Sequence, residues 1–498
     1  MSSLINSLFF QPPDSLIAQD GSLKGYDLVY TFTEGKLNQQ LQQLFNRGII
    51  PKTFHFKKDS EQTELNVTWG PPKIYLLASD GSHRNIALKL PMQQGTLSYL
   101  AYQPSEPWSN KQVQVSVSGW ELYFTVNLSL ADVNLDNKGL LPEVKQQLQK
   151  FSPANFSFQH LFLDFEDVNL MTNTWGIIIP SKGKKTPDPT NKKFKSEFQS
   201  IIRGLRDQLH GTKNPYILNQ ATVTGKPFTL SYSVKARQKQ ATFMPTGGTF
   251  STTLSNFSEE DSTLNYLLMT QGKAISARSD SGLFPSTWLK NTNSKGAFVI
   301  GGNLILSQLE EAVANQTPGI SKGKFFSFGA FSGVSVKYRG ADLSVFIYPQ
   351  SGTSKVLIKG KLEKTKDIKI SYIVGSKTIG TAKAWSEWTD TVEFYLDNGT
   401  IKSKTTQGKI TNHNNKGSFN EFLSLVSGAI DSVTGDIGDA IQNFHLAFSS
   451  GNFTRGAATN LAQEMQSIAP SIILPNGIPN KPTKLAFYKS ALVVYLNM

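Results

Sequence analysis

Apolar residues recur at helical spacing twice in this chain, in nearly the same spelling, and each time they follow a strand-like run. In the first copy Tyr26 to Thr33 leads into Leu37-Asn-Gln-Gln-Leu41-Gln-Gln-Leu44-Phe45; in the second Gly296 to Gly301 leads into Ile305-Leu-Ser-Gln-Leu309-Glu-Glu-Ala312-Val313. Both sets step by i, i+4, i+7 and i+8, which places the apolar side chains on one helical face and predicts short helices over about 34–46 and 303–315. A wider stripe follows each copy at a distance. Phe194, Phe198, Ile201, Ile202, Leu205 and Leu209 predict a long helix over about 192–210. Phe419, Phe422, Leu423, Val426 and Ile430, continued to Phe444, predict a second over about 418–444. Gly428, Gly435 and Gly438 interrupt this second helix, each weakening it by about 1 kcal/mol against Ala.

Between the helices the chain alternates apolar and polar residues at period two, as in Leu65-Asn-Val67-Thr-Trp69 and Val113-Gln-Val115-Ser-Val117. Such runs are half-buried strands, and turns such as Gly70-Pro-Pro72 and Asp80-Gly81 separate them. A small helix is expected from Pro142 to Lys150. From Phe156 onward alternation puts His160 and Asp164 on one side and Leu161, Leu163 and Phe165 on the other, the better buried face. Strands close each half, Leu264 to Met269 in the first and Leu492 to Met498 in the second. The same element order twice predicts two units, 1–285 and 286–498, of α+β class. In each, the long helix must be covered by the one partner offered, a curved antiparallel sheet. Incomplete packing there leaves an elongated apolar groove fit for an acyl chain, while complete packing leaves a filled core.

Three phrases carry a family resemblance. Gly25-Tyr-Asp-Leu-Val-Tyr30 leads to Leu37 and Asn38, Asn85-Ile-Ala-Leu-Lys-Leu-Pro91 is followed by Gly95, and Val117-Ser-Gly-Trp-Glu-Leu122 leads to Val126-Asn-Leu128. In these the chain resembles the clostridial forty-seven-kilodalton and OrfX proteins of toxin gene clusters, which are similar to the tubular lipid-binding (TULIP) superfamily. The recognisable phrases lie mostly in the first 180 residues. The resemblance implies two TULIP-like lobes, each a long amphipathic helix wrapped by a sheet. It further implies non-enzymatic action, lipid or another hydrophobic ligand along the two stripes, and a helper role beside a protein toxin.

Composition narrows the chemistry. With 498 residues and 39% hydrophobic content the chain can bury proper cores, and its 32 Phe outnumber Tyr and Trp together. No cysteine occurs, which excludes disulfides, thiolate metal sites and cysteine nucleophiles. The absence of cysteine fits a bacterial protein that is secreted or released, and Met1 to Phe10 lacks the pattern of a secretory signal. Of a net charge of +13, about +8 lies between Ser321 and Gly380. There Lys355, Lys359, Lys361, Lys364, Lys366 and Lys369 alternate with Val356, Ile358, Leu362, Ile368 and Ile370, so a charged strand face over a buried one is expected. Such a face suits an anionic membrane or an acidic protein partner; base-stacking aromatics do not interleave with these lysines, which disfavours nucleic acid.

Catalytic signatures are weak. Gly319-Ile-Ser321-Lys-Gly323 matches a nucleophile elbow, yet a helix precedes it and a strand follows, the reverse of what an elbow needs. The six His lack paired metal-ligand spacing, and no phosphate-binding loop is present. No enzyme activity, cofactor or metal is expected. A structural docking protein and a β-rich pore-forming toxin are the competing readings.

Overall fold

The computed structural model describes residues 23–76, 85–102, 110–133, 135, 140–150, 156–165, 175–180, 192–209, 214–224, 243–255, 261–271, 273, 288–289, 292–316, 326–328, 331–338, 341–372, 375–409, 411–416, 452–468, 471–477 and 480–497. Among these the fold is α+β and mostly sheet, with few helices and a strongly curled sheet. The helices are α1 (Glu34–Asn46), α2 (Pro142–Leu148), α3 (Lys192–Gln208), α4 (Gly302–Gln316) and α5 (Asn452–Ile468).

Helix α1 starts where Thr33, in extended conformation, accepts a hydrogen bond from the Lys36 amide at 3.2 Å. Leu37, Leu41, Leu44 and Phe45 are buried as their spacing requires. The polar side of the helix is also used. Glu34 Oε2 accepts from the Leu76 amide at 2.8 Å, and the Asn38 amide group exchanges two hydrogen bonds with the backbone of Ile74. These bonds fasten α1 to the edge strand Lys73–Leu76.

A six-stranded antiparallel sheet joins the two halves. Its order is Pro245–Thr253, Thr263–Thr270, Leu28–Thr33, Gly296–Ile300, Ala491–Asn497, Lys481–Tyr488. Each half thus contributes its first strand at the centre, its last strand beside that, and its next-to-last strand at the edge. Tyr30 lies directly opposite Phe298, with their rings 5.4 Å apart. The same spacing of 268 residues relates Tyr30 to Phe298, Leu37 to Ile305 and Leu41 to Leu309, so the repeat in the sequence is an internal twofold in the sheet. One face of this sheet, with Leu264, Tyr266, Leu268, Leu492, Val494 and Leu496, enters the main apolar core; the other, with Val29, Leu267, Val299 and Val493, packs on Trp288 and Leu289.

The second sheet has ten strands and belongs mainly to the first half, in the path Thr53–Lys58, Thr63–Trp69, Asn85–Tyr102, Glu121–Asp132, Phe156–Asp164, Ile217–Thr224, Ile472–Ile473. Its 18-residue strand Asn85–Tyr102 changes neighbours near Pro91: residues before it pair with Lys73–Leu76 and Glu121–Asp132, and residues after it with Thr63–Trp69 and Asn110–Ser116. Gly95 permits this crossover. Its φ is +148°, and a Cβ there would lie 2.1 Å from the Asn66 carbonyl oxygen. The third sheet has seven strands from the second half, Phe326–Phe328, Phe331–Tyr338, Ala341–Pro349, Lys355–Tyr372, Gly375–Asp397 and Thr400–Thr406, with Thr411–Lys416 also on Gly375–Asp397.

Three strands from before residue 285 and three from after it therefore lie side by side in one sheet, and Ile472–Ile473 of the second half extends the sheet of the first. The Tyr30 hydroxyl donates to the Ile468 carbonyl and lies 3.2 Å from Ser471 Oγ, joining the first strand of one half to the last helix of the other. The whole of the second long stripe, expected over 418–444 with Phe419, Phe422, Leu423, Val426 and Ile430, lies outside the described residues. Helix α5 of that half, which follows, buries Ala458, Leu461, Ala462, Met465 and Ile468.

Candidate functional site

The apolar seam of α3 is the most developed site that the sequence singles out. Steps of three and four residues turn Phe194, Phe198, Ile201, Ile202 and Leu205 to one side, and Leu209 follows just beyond the helix; all are buried, Phe198 at 1% exposure. Phe198 stacks on Trp175 of the strand Trp175–Ile178 with ring centroids 5.5 Å apart, and Phe194 meets Tyr99 edge-on at 5.7 Å. Gly204 lets the helix close onto the strand Thr53–Lys58, since a Cβ there would fall 2.4 Å from the Phe56 ring. Ser200, on the polar side, donates to Glu61 Oε2 at 2.7 Å. The hydrogen bond from Lys58, then that from Ser200, holds the Glu61 carboxyl below the ordinary range.

Aromatic contacts continue the seam under the curled sheet. Phe54 packs on Trp69 at 6.3 Å, Phe124 on Phe165 at 6.4 Å, and Phe165 on Tyr216 at 5.6 Å. Burial pushes the Tyr216, Tyr30 and Tyr266 phenols well above their usual value, so all three stay neutral at physiological pH. The seam offers an uncharged, largely aromatic and aliphatic lining with few hydrogen-bonding groups.

Alternation along Phe156–Asp164 works as the spacing requires. Leu161, Leu163 and Phe165 enter the main core, whereas Phe158 joins a small cluster with Val144 and Leu148 of α2. His160 stands opposite Gln220, and burial lowers its pKa. Asp164 accepts from Ser129 Oγ at 2.7 Å. Among the described residues no group of three His, Asp or Glu is arranged to hold a metal ion. Residues 319–323 and His445 lie outside the described residues.

The lysine strand departs from the expected single charged face. Val356, Ile358 and Leu362 are buried, and Lys355, Lys359 and Lys361 alternate with them; Lys364, an even number of residues from Leu362, falls on the parity of the buried set. The face that carries Lys355, Lys359 and Lys361 is furthermore compensated. Lys361 pairs with Glu363 at 2.8 Å and lies over the Trp385 ring, Lys355 is 4.0 Å from Glu393, and Lys359 sits 5.4 Å from the centroid of Tyr348. Lys366 and Lys369 are placed by strand register alone, opposite Ala382 and Thr378. What sequence spacing misses here is a strand that runs on past Glu363, where its pairing with Ala341–Pro349 ends.

No helix among the described residues is long and apolar enough to cross a membrane. No family model matches this sequence, and no curated protein matches it. Solved structures do match. P47 from Clostridium botulinum A2 superposes with a TM-score of 0.54 at 13% identity, over 96% of this chain and 98% of that one. P47 of Clostridium botulinum E1 superposes with a TM-score of 0.51 at 12% identity, over 95% of this chain and 99% of that one. A lipopolysaccharide binding protein aligns at a TM-score of 0.28 and 11% identity, over 95% of this chain and 98% of that one. The chain shares the fold of the P47 proteins over almost its whole length, well beyond the first 180 residues in which the sequence phrases lie.

Proposed function

We propose that this chain is a non-enzymatic protein that binds a lipid or another hydrophobic ligand, and that it acts beside a bacterial protein toxin or at a membrane surface. Its architecture in this reading is two TULIP-like lobes meeting at the internal twofold of the six-stranded sheet. The observation that carries the proposal is the α3 seam: an uncharged run of Phe194, Phe198, Ile201, Ile202 and Leu205 beneath a bent sheet. The fold shared with P47 supports it. Each methylene moved from water into such a lining contributes about 0.8 kcal/mol, so a long acyl chain needs no charged anchor to be retained. The helper role beside a toxin rests on the likeness to P47 proteins and on the sequence phrases given above.

Mass spectrometry of organic extracts from purified protein tests the proposal. Lipid absent from matched buffer extracts is expected. Extracts indistinguishable from buffer, together with no uptake of added phospholipid or fatty acid by the delipidated protein, would sink it.

A further inference from the structure

Glu34, Lys36 and Gln40 are the buried polar side chains of α1, and they differ in how they are satisfied. Glu34 Oε2 accepts from the Leu76 amide at 2.8 Å, and Lys36 Nζ donates to Gln39 Oε1 at 2.9 Å. Gln40 is 2% exposed, yet neither its Oε1 nor its Nε2 meets a hydrogen-bonding group of the protein. A primary amide buried without a hydrogen bond destabilises a core, and Leu or Met would fill the same place without that cost. A side chain kept there against this cost is one whose partner comes from outside the chain.

The surroundings say what kind of partner. Leu37, three residues before Gln40, and Leu44, four after, are its neighbours on the helix surface. Both belong to the apolar core that also takes in Phe194 and Phe198 of the α3 seam. A buried water needs two to four polar partners, and the polar side chains one turn away are already engaged. Lys36 Nζ is directed to Gln39, and Gln43 Oε1 accepts from Asn476 Nδ2 at 2.9 Å. The counterpart of Gln40 across the internal twofold, Gln308, is half-buried, so the sealed amide belongs to the first half alone. Gln40 thus offers one acceptor and one NH2 donor at the border of an apolar core. A neutral group that both gives and takes a hydrogen bond fits it. An ionised carboxylate and a simple ester only accept, and bare hydrocarbon does neither.

We propose that Gln40 is the polar anchor of the lipid site and that it selects a neutral acylglycerol with a free hydroxyl. The hydroxyl donates to Gln40 Oε1, Nε2 donates to the ester carbonyl, and the acyl chain runs on into the apolar core. The proposal rests on the lipid-binding reading given above and adds to it the class of headgroup and the residue that reads it.

Titration calorimetry of the delipidated full chain with monodecanoylglycerol, methyl decanoate and decanoate tests it. Monodecanoylglycerol should bind about fivefold tighter than methyl decanoate, which lacks the donor, and tighter than decanoate. Gln40→Met keeps the length of the side chain and removes both polar atoms. It should weaken monodecanoylglycerol binding about tenfold, abolish the preference over methyl decanoate, and raise the melting temperature of the ligand-free protein. Gln42→Met, at an exposed position of the same helix, should bind and prefer as the parent does. A parent without the preference, a stronger preference for decanoate, or a preference that survives in Gln40→Met overturns the anchor and leaves the α3 seam standing. Ligand-free protein that melts lower both as Gln40→Met and as Gln40→Leu overturns it too, because the amide is then held by the protein itself. If the parent binds none of the three ligands the anchor fails, and the lipid reading fails with it when organic extracts are also empty.

Discussion

Replacing Phe198 by Ala asks most directly what the α3 seam is. Phe198 is buried at 1% exposure between Trp175 and Phe194, at ring distances of 5.5 and 5.6 Å. Loss of the buried ring removes about 1.5–3 kcal/mol of transfer free energy. Two aromatic contacts add about 0.5–1.5 kcal/mol each. The sum agrees with the roughly 3–5 kcal/mol measured for Phe to Ala changes in cores. Urea unfolding of delipidated protein, followed by circular dichroism and tryptophan fluorescence, should show that loss with an unchanged denaturant slope. The second half of the experiment adds lipid. A ligand that binds only the native state stabilises it by about 2.7 kcal/mol at one hundred times its dissociation constant. Hydrocarbon lying along the seam would fill the space left by the ring, so the gain on adding lipid should be larger in the variant than in the parent. A loss below about 1 kcal/mol without lipid would contradict the packing of Phe198. Equal lipid gains in parent and variant would place the ligand elsewhere.

Two further outcomes follow from local geometry. Gly95→Ala should destabilise strongly, because the residue combines a φ of +148° with a Cβ position 2.1 Å from the Asn66 carbonyl oxygen; a melting temperature within 1–2 °C of the parent, against the several degrees expected of a few kcal/mol, would refute the close approach. Burial depresses the His160 pKa below its ordinary 6.5, so the unfolded chain binds the extra proton more readily. The corresponding stability is fully present above about pH 6.5 and falls as pH drops below it. His160→Phe should flatten that part of the stability profile, and a profile unchanged by the substitution would show that His160 is not the titrating group.

The elements of this protein read differently well from sequence, for reasons of range. Helices α1 and α4 lie at the two copies of the apolar repeat because i, i+4 spacing is local, and α3 follows from the stripe Phe194 to Leu205 on the same ground. Helix α5 carries the same kind of spacing in Ala458, Leu461, Ala462, Met465 and Ile468, but two of the five are alanines, too small to raise an apolar signal above their polar neighbours. In the strand Lys355–Tyr372, alternation gives the parity of each residue and says nothing of where the flanking strand ends. That end lies at Glu363, opposite Asp342.

From the residues alone came the repeat, the helix positions, the period-two strands, the want of cysteine chemistry and the lysine-rich stretch, all of which depend on neighbours a few positions apart. Only the tertiary structure decided that the first and last strands of both halves share one sheet, with Tyr30 opposite Phe298 at its centre. It also decided that Glu363, Glu393, Tyr348 and Trp385 compensate half of the lysines. Those outcomes turn on contacts between residues tens to hundreds of positions apart. No local spacing encodes such pairings; they arise when apolar faces must cover one another and backbone groups must find partners.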